Sequence, residues 1–173
     1  MTETPKAVFR IFIKASQDVI FRELTKTGVP QGAVFNAMLT LASPGLAVGK
    51  QLQMRTVSGK HTIVAGEIVA LEPPHRFVHT HRFTQHQDPV CTVSYELRSV
   101  PGGTEVTLTV ENLVPNSKTA TEMQRGGTFI LGNLKSITET GRPPFSTRLM
   151  YWVFDKLEFV LPKTTRTERW PLS

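Results

Sequence analysis

Residues 63–84, IVAGEIVALEPPHRFVHTHRFT, decide the fold. Two β-patterned runs meet at Pro73-Pro74. The second run places Phe77, His79, His81 and Phe83 on one face, because successive side chains of a strand point to opposite sides of a sheet. A face of aromatics and imidazoles reads as the wall of an interior. A long apolar pattern of helical period follows later in the chain, so the expected arrangement is a curved sheet closing over a helix, with room for a small apolar ligand.

Upstream, AVFRIFIK (7–14) sets Phe9, Ile11 and Ile13 on one face and Arg10 and Lys14 on the other, the alternation of a half-buried strand. Ser16 is placed to cap a helix that carries Asp18 in its first turn and ends near Gly28. Val29-Pro30-Gln31 predicts a second short helix reaching about Met38, and LASPGLAVG (41–49) reads as turn-rich. From Lys50 the pattern is β: QLQMRTV, a turn at Gly59, HTIVAGEIVALE, the Pro73-Pro74 corner, HRFVHTHRF, VCTVSYELRSV and TEVTLTVENL. Pro101-Gly102-Gly103 is a hairpin turn that sets Val93, Tyr95 and Leu97 against Val106, Leu108 and Val110. Gly66, inside a strand, marks a bulge or bend.

After Pro115, Asn116 or Ser117 caps a long helix running to about Thr140 and stopped by Gly141 and Pro143-Pro144. Met123, Gly127, Ile130, Leu131, Leu134 and Ile137 form its sheet-facing stripe. Gly126-Gly127 costs on the order of 1 kcal/mol per glycine relative to alanine in mid-helix, so close packing or a kink is expected there. The tail FSTRLMYWVFDKLEFVL (145–161) is a further apolar helix, with Leu149, Val153, Leu157 and Val160 at helical spacing and Met150, Trp152, Phe154 and Phe159 beside them. Such a surface docks on its own domain or on a second subunit; contact with a membrane surface is the alternative, aided by Arg148, Lys156, Lys163, Arg166 and Arg169 and opposed by Asp155 and Glu158.

Composition narrows the class. A chain of 173 residues with 39% hydrophobic content buries a core without metals or disulfides, and only its ends read as loose. Cys91 is the single cysteine, which argues against a disulfide scaffold and fits a reducing compartment. No apolar run approaches the roughly 18 residues of a membrane span, and MTETPKAVFR lacks the order of a secretory signal, so a cytoplasmic location is expected. Half of the net charge of +6 lies in residues 142–173, and the rest is too dilute for a nucleic-acid-binding stripe.

His79 and His81 are two residues apart on one strand, and His61 or His86 offers a third nitrogen. No Cys-x-x-Cys, His-x-x-x-His or nearby carboxylate completes a metal set, so no metal or other cofactor is expected. Glu67 and Glu96 are acid/base candidates only if the register turns them inward. Ser94 lacks a triad context, and the nucleotide and dinucleotide fingerprints are absent. The inward-facing set, and therefore the candidate ligand-binding residues, is Met54, Phe77, His79, His81, Phe83, Val93, Tyr95, Leu97, Met123, Ile130 and Leu134, most of whose apolar members read first as plain core.

The order strand, two helices, five or six antiparallel strands and long C-terminal helix resembles the helix-grip fold of the SRPBCC superfamily, which includes START domains, the birch-pollen allergen and polyketide cyclases. IKASQDVIFREL resembles its opening strand and helix, and GGTEVTLTVENL its last hairpin. GEIVALEPPHRFVHTHRF looks like the corresponding segment of the branch homologous to activators of the ninety-kilodalton heat-shock chaperone ATPase. The resemblance implies an α+β helix-grip domain over residues 1–141, a curved antiparallel sheet wrapped around the long helix, with residues 142–173 as a helical extension. It also implies a cavity between sheet and helix. Many relatives place a bulky aromatic at position 81, where this chain has histidine. Three functions follow from the resemblance. The first is a non-enzymatic binding or carrier protein for a small apolar molecule, with His79 and His81 orienting a polar group. The others are a cyclase-like enzyme using a pocket histidine, and a chaperone-associated interaction module; a homodimer is compatible with each.

Overall fold

The computed structural model describes residues 5–173. Residues 1–4, part of the segment read above for a secretory signal and as a loose end, lie outside the described residues. Eight strands form one antiparallel sheet in the order β1-β8-β7-β6-β5-β4-β3-β2, curled around a long helix. The strands are β1 (Ala7–Ile13), β2 (Pro30–Gln31), β3 (Ala37–Leu41), β4 (Gln51–Arg55), β5 (Thr62–Glu72), β6 (Arg76–Phe83), β7 (Cys91–Val100) and β8 (Gly103–Glu111). Helices α1 (Gln17–Thr25), α2 (Lys118–Thr140) and α3 (Phe145–Lys156) complete the α+β helix grip. Among the described residues no helix is long and apolar enough to cross a membrane.

The strand periodicities translate directly into pairing. Val93, Tyr95 and Leu97 lie opposite Val110, Leu108 and Val106, and all six side chains are buried. Gly102 sits at φ 83°, the left-handed conformation that the β7–β8 turn requires. Ser16 caps α1 by accepting from the Val19 N–H at 3.4 Å, and Ser117 caps α2 by accepting from the Ala120 N–H at 3.0 Å. Asp88, on the β6–β7 loop, accepts the next free donor, the Thr119 N–H, at 2.8 Å. Gly141 closes α2 in a left-handed C-cap.

Residues 29–38 do not form the expected second helix. Gln31 is buried and its side-chain amide donates to the Leu24 and Lys26 carbonyls at the end of α1, which locks Pro30–Gln31 as an edge strand. Phe35 and Asn36 then take φ values of 52° and 57°, a left-handed pair that stops right-handed helix propagation and returns the chain as β3. One helix therefore precedes the remaining strands, and β2 and β3 raise the strand count above that of the resemblance. Gly66 is not itself a bulge. The register shifts in β5 fall between Ile68 and Ala70 against β6, and opposite Met54/Arg55 of β4. Gly66 is required because a Cβ there would collide with the Thr80 carbonyl of β6. The C-terminal end is tied down, not loose: Gln53 donates to the Trp170 carbonyl at 2.6 Å, and the Thr167 N–H donates to the Lys60 carbonyl at 2.9 Å.

Helix α2 packs on β1, β8 and α1. Its two adjacent glycines meet different neighbours. The ring of Phe9 lies flat enough against Gly127 that any Cβ would overlap it, whereas a Cβ on Gly126 would rest in ordinary contact, 3.6 Å from the ring of Phe35. Close packing, not a kink, explains Gly127. Gly126→Ala should therefore stabilise the protein by about 0.5–1 kcal/mol through helix propensity, while Gly127→Ala should destabilise it by about 1–2 kcal/mol through overpacking. Denaturant unfolding of the two variants checks this, and equal shifts would contradict the packing described.

Candidate functional site

The inner face of β6 carries a ladder of rings. Phe77 lies 5.3 Å from His79, His79 lies 5.8 Å from His81, and His81 meets Phe83 edge-on at 4.7 Å between centroids. Phe77 also stacks on Tyr95 of β7 at 6.5 Å. Both imidazoles are interior, His79 1% and His81 7% exposed. Between this face and α2 lies a cavity of about 20 Å³. Met54, Val34, Val93 and Tyr95 line it from the sheet side together with His79 and His81, and Leu108 and Val110 of β8 continue the wall. Met123, Gly127 and Ile130 of α2 form the opposite wall.

The structure thus places Met54, His79, His81, Val93, Tyr95, Met123 and Ile130 around the void. Phe77, Leu97 and Leu134 lie in the surrounding core and Phe83 is half-buried at the end of the ring ladder. Val34, Leu108, Val110 and Gly127 are lining residues outside the set expected from the sequence. Leu108 and Val110 follow from the β7–β8 register, whereas Val34 lies in the turn segment between β2 and β3, whose local sequence favours a helix. His61 is engaged by the Thr165 hydroxyl at 2.7 Å and His86 by Glu122 at 2.8 Å, so neither adds a nitrogen to the pair. Glu67 and Glu96 both face solvent.

The electrostatics of the pair follow from burial. Nδ1 of His79 lies 2.8 Å from the Thr80 carbonyl oxygen, so this nitrogen carries the proton and Nε2 is left as an acceptor. Burial pushes the His79 pKa down to about 4, opposed only by that hydrogen bond. Burial, and then repulsion from His79, hold His81 well below its ordinary 6.5. Both rings are neutral at pH 7. Among the described residues, His79 Nε2 and both ring nitrogens of His81 have no hydrogen-bond partner. Each such buried polar group costs about 1–3 kcal/mol unless satisfied. A void of this volume takes one water-sized group, since a water needs roughly 10–15 Å³ on this measure. The site is thus an apolar cup with one donor and two acceptors at its floor. Cys91 supplies no nucleophile: burial pushes its thiol up to about 11, and its Sγ donates to the His81 carbonyl at 3.4 Å.

A curled sheet gripping one long helix defines an α+β helix-grip protein. Residues 4–139 match the family model described as "Activator of Hsp90 ATPase homolog 1-like protein", and the chain belongs to that family. Among solved structures it is similar to the Aha1 dimer from Colwellia psychrerythraea, at 21% identity and a TM-score of 0.62 over 79% of this chain and 98% of that one. It is also similar to an Hsp90 activator from Plasmodium falciparum, at 20% identity and a TM-score of 0.60 over 80% and 97% of the two chains. CalU16 from Micromonospora echinospora, at 17% identity and a TM-score of 0.61, covers 90% of this chain and 87% of its own. Among functionally curated proteins none matches.

Two outcomes follow from the buried imidazoles. In the unfolded chain histidine titrates near 6.5, whereas folded His79 titrates near 4, so the unfolded state binds more protons as pH falls. Stability is complete above pH 6.5 and is lost as pH drops from there through about 4, His79 alone accounting for roughly 3 kcal/mol. Tyr95 and Cys91, the other titratable groups at the site, are shifted upward and do not titrate in this window. His81→Phe should remove the two unpartnered nitrogens, raise stability at pH 7 by about 1–3 kcal/mol and flatten this acid limb. Chemical denaturation between pH 4 and 8 measures both, and a variant less stable than the parent at pH 7 would show that His81 is satisfied in the folded protein.

Proposed function

We propose that this chain is a non-enzymatic binding or carrier protein for a small, largely apolar molecule with a compact hydrogen-bonding end. The reading is supported above all by three unpartnered imidazole nitrogens beside an otherwise apolar cavity. Such a floor favours a hydroxyl or carbonyl group over a charged one, because neither ring carries charge to balance an ion in a desolvated site. The cavity accepts only that end in the conformation described. The remainder of a ligand enters by displacement of Met54 and Met123, unbranched side chains on opposite walls that repack with little strain. In this proposal residues 1–141 are the binding domain, residues 142–173 a helical extension, and the location is cytoplasmic.

The cyclase-like alternative is less well supported. A histidine whose pKa is near 4 is a weak base at neutral pH, which suits hydrogen bonding and not proton abstraction. Family membership favours a second reading, a chaperone-associated module. The Plasmodium structure is that of an HSP90 activator, and the Colwellia structure is that of an Aha1 dimer.

Native mass spectrometry of the purified chain tests the first reading. A reproducible adduct is expected, lost in the His79→Phe/His81→Phe double variant, together with a thermal shift on adding medium-chain fatty alcohols. A bare mass and no thermal response in the parent would overturn it.

A further inference from the structure

Helix α3 is mounted with its apolar side outward. Its buried residues are Thr147 and Tyr151, one turn apart. The Thr147 hydroxyl donates to Asn133 Oδ1 at 3.0 Å, the Tyr151 hydroxyl donates to the Gly32 carbonyl at 2.8 Å, and the Tyr151 ring meets Phe129 edge-on. At 100° per residue the opposite side holds Phe145, Leu149, Trp152 and Val153, with Lys156 among them near its C-terminal end. Phe145 is 75% exposed and Trp152 59%, and Phe159, on the short turn that follows, is 82% exposed. An amphipathic helix ordinarily buries such a stripe against its own domain.

The charges around the stripe are unbalanced. Arg142, Arg148, Lys156 and Lys163 are exposed, and none has an ion-pair partner among the described residues. Of the neighbouring carboxylates, Glu158 is turned back onto the domain and accepts from Thr56 and Ser58. Asp155 lies in the groove between α3 and the ends of α1 and α2 together with Glu23, Lys26, Arg142 and Arg148; Glu23 pairs with Lys26 at 2.7 Å, which leaves Arg142 and Arg148 against Asp155.

We propose that this face seats on an anionic lipid surface, Phe145, Trp152 and Phe159 entering the boundary between headgroups and acyl chains while Arg148 and Lys156 reach lipid phosphates. Exposed rings such as Phe145, Trp152 and Phe159 need no shape-matched partner in a fluid surface. Self-pairing through the same ridge would bring like charges together, Arg148 and Lys156 of each copy exceeding the helix's one exposed carboxylate, Asp155. The proposal is independent of the interior site.

Co-sedimentation of the full chain with phosphatidylglycerol/phosphatidylcholine vesicles and with pure phosphatidylcholine vesicles tests it, alongside sedimentation velocity without lipid. Expected are binding to the anionic vesicles, a fall in binding with added salt, and a loss of at least about tenfold both in Phe145→Ser/Trp152→Ser and in Arg148→Glu/Lys156→Glu. These positions are exposed, and unchanged melting of the variants confirms their folding. Absence from the anionic pellet, or equal retention on neutral vesicles, overturns the proposal. So does a dimer abolished by Phe145→Ser/Trp152→Ser in a chain that ignores vesicles, which assigns the face to a second copy.

Discussion

The organising constraint is the parity of β6. A strand has only two sides, and with Phe77 committed to the interior, His79 and His81 must follow it inward. Slipping the strand by one residue would bring Val78, Thr80 and Arg82 inside and expel the rings. The register is held by pairing on both flanks, His79 lying opposite Val93 on β7 and Ile68 on β5. Hydrophobic burial of Phe77, Val93, Tyr95 and Ile68 thus holds two polar rings where they would not go by themselves. Those burials, each worth about 1.5–3 kcal/mol, outweigh the cost of the unpartnered nitrogens.

The other half of the grip is set by Gly127. With no side chain there, α2 lies against the ring of Phe9 on β1, and this close approach fixes how far the helix stands from the sheet. Met123 and Ile130 are then brought to the cavity from one side while Met54 approaches from the other. The interior is nearly filled, and the small remaining volume sits at the imidazoles. Under the proposed binding function, a larger ligand would be accommodated by the flexible methionines and not by an open vault.

Much of this was legible in the sequence. The alternation in HRFVHTHRF and VCTVSYELRSV specifies which side chains face inward, and Pro101-Gly102-Gly103 sets the β7–β8 register to the residue. Ser16, Ser117 and Gly141 mark helix ends because a short polar side chain or a left-handed glycine meets a stated local requirement. Residues 29–38 were not legible, since their course depends on distant partners: Gln31 on the carbonyls of α1, and Gly32 on the hydroxyl of Tyr151. Local preference there favoured a helix and tertiary bonding overrode it. The size of the cavity was equally hidden, being a difference between packed volumes and not a property of any motif. For α3 the sequence contains an apolar stripe, but not the fact that Thr147 and Tyr151 do the docking.

The central claim is that the interior imidazoles present hydrogen-bonding capacity which the protein does not itself satisfy. A high-resolution crystal structure of the protein as purified tests this most directly. The account predicts ordered density beside the rings, with an atom within about 3.2 Å of His79 Nε2 or of a His81 nitrogen. Rings rotated onto protein partners that satisfy all three nitrogens would contradict it.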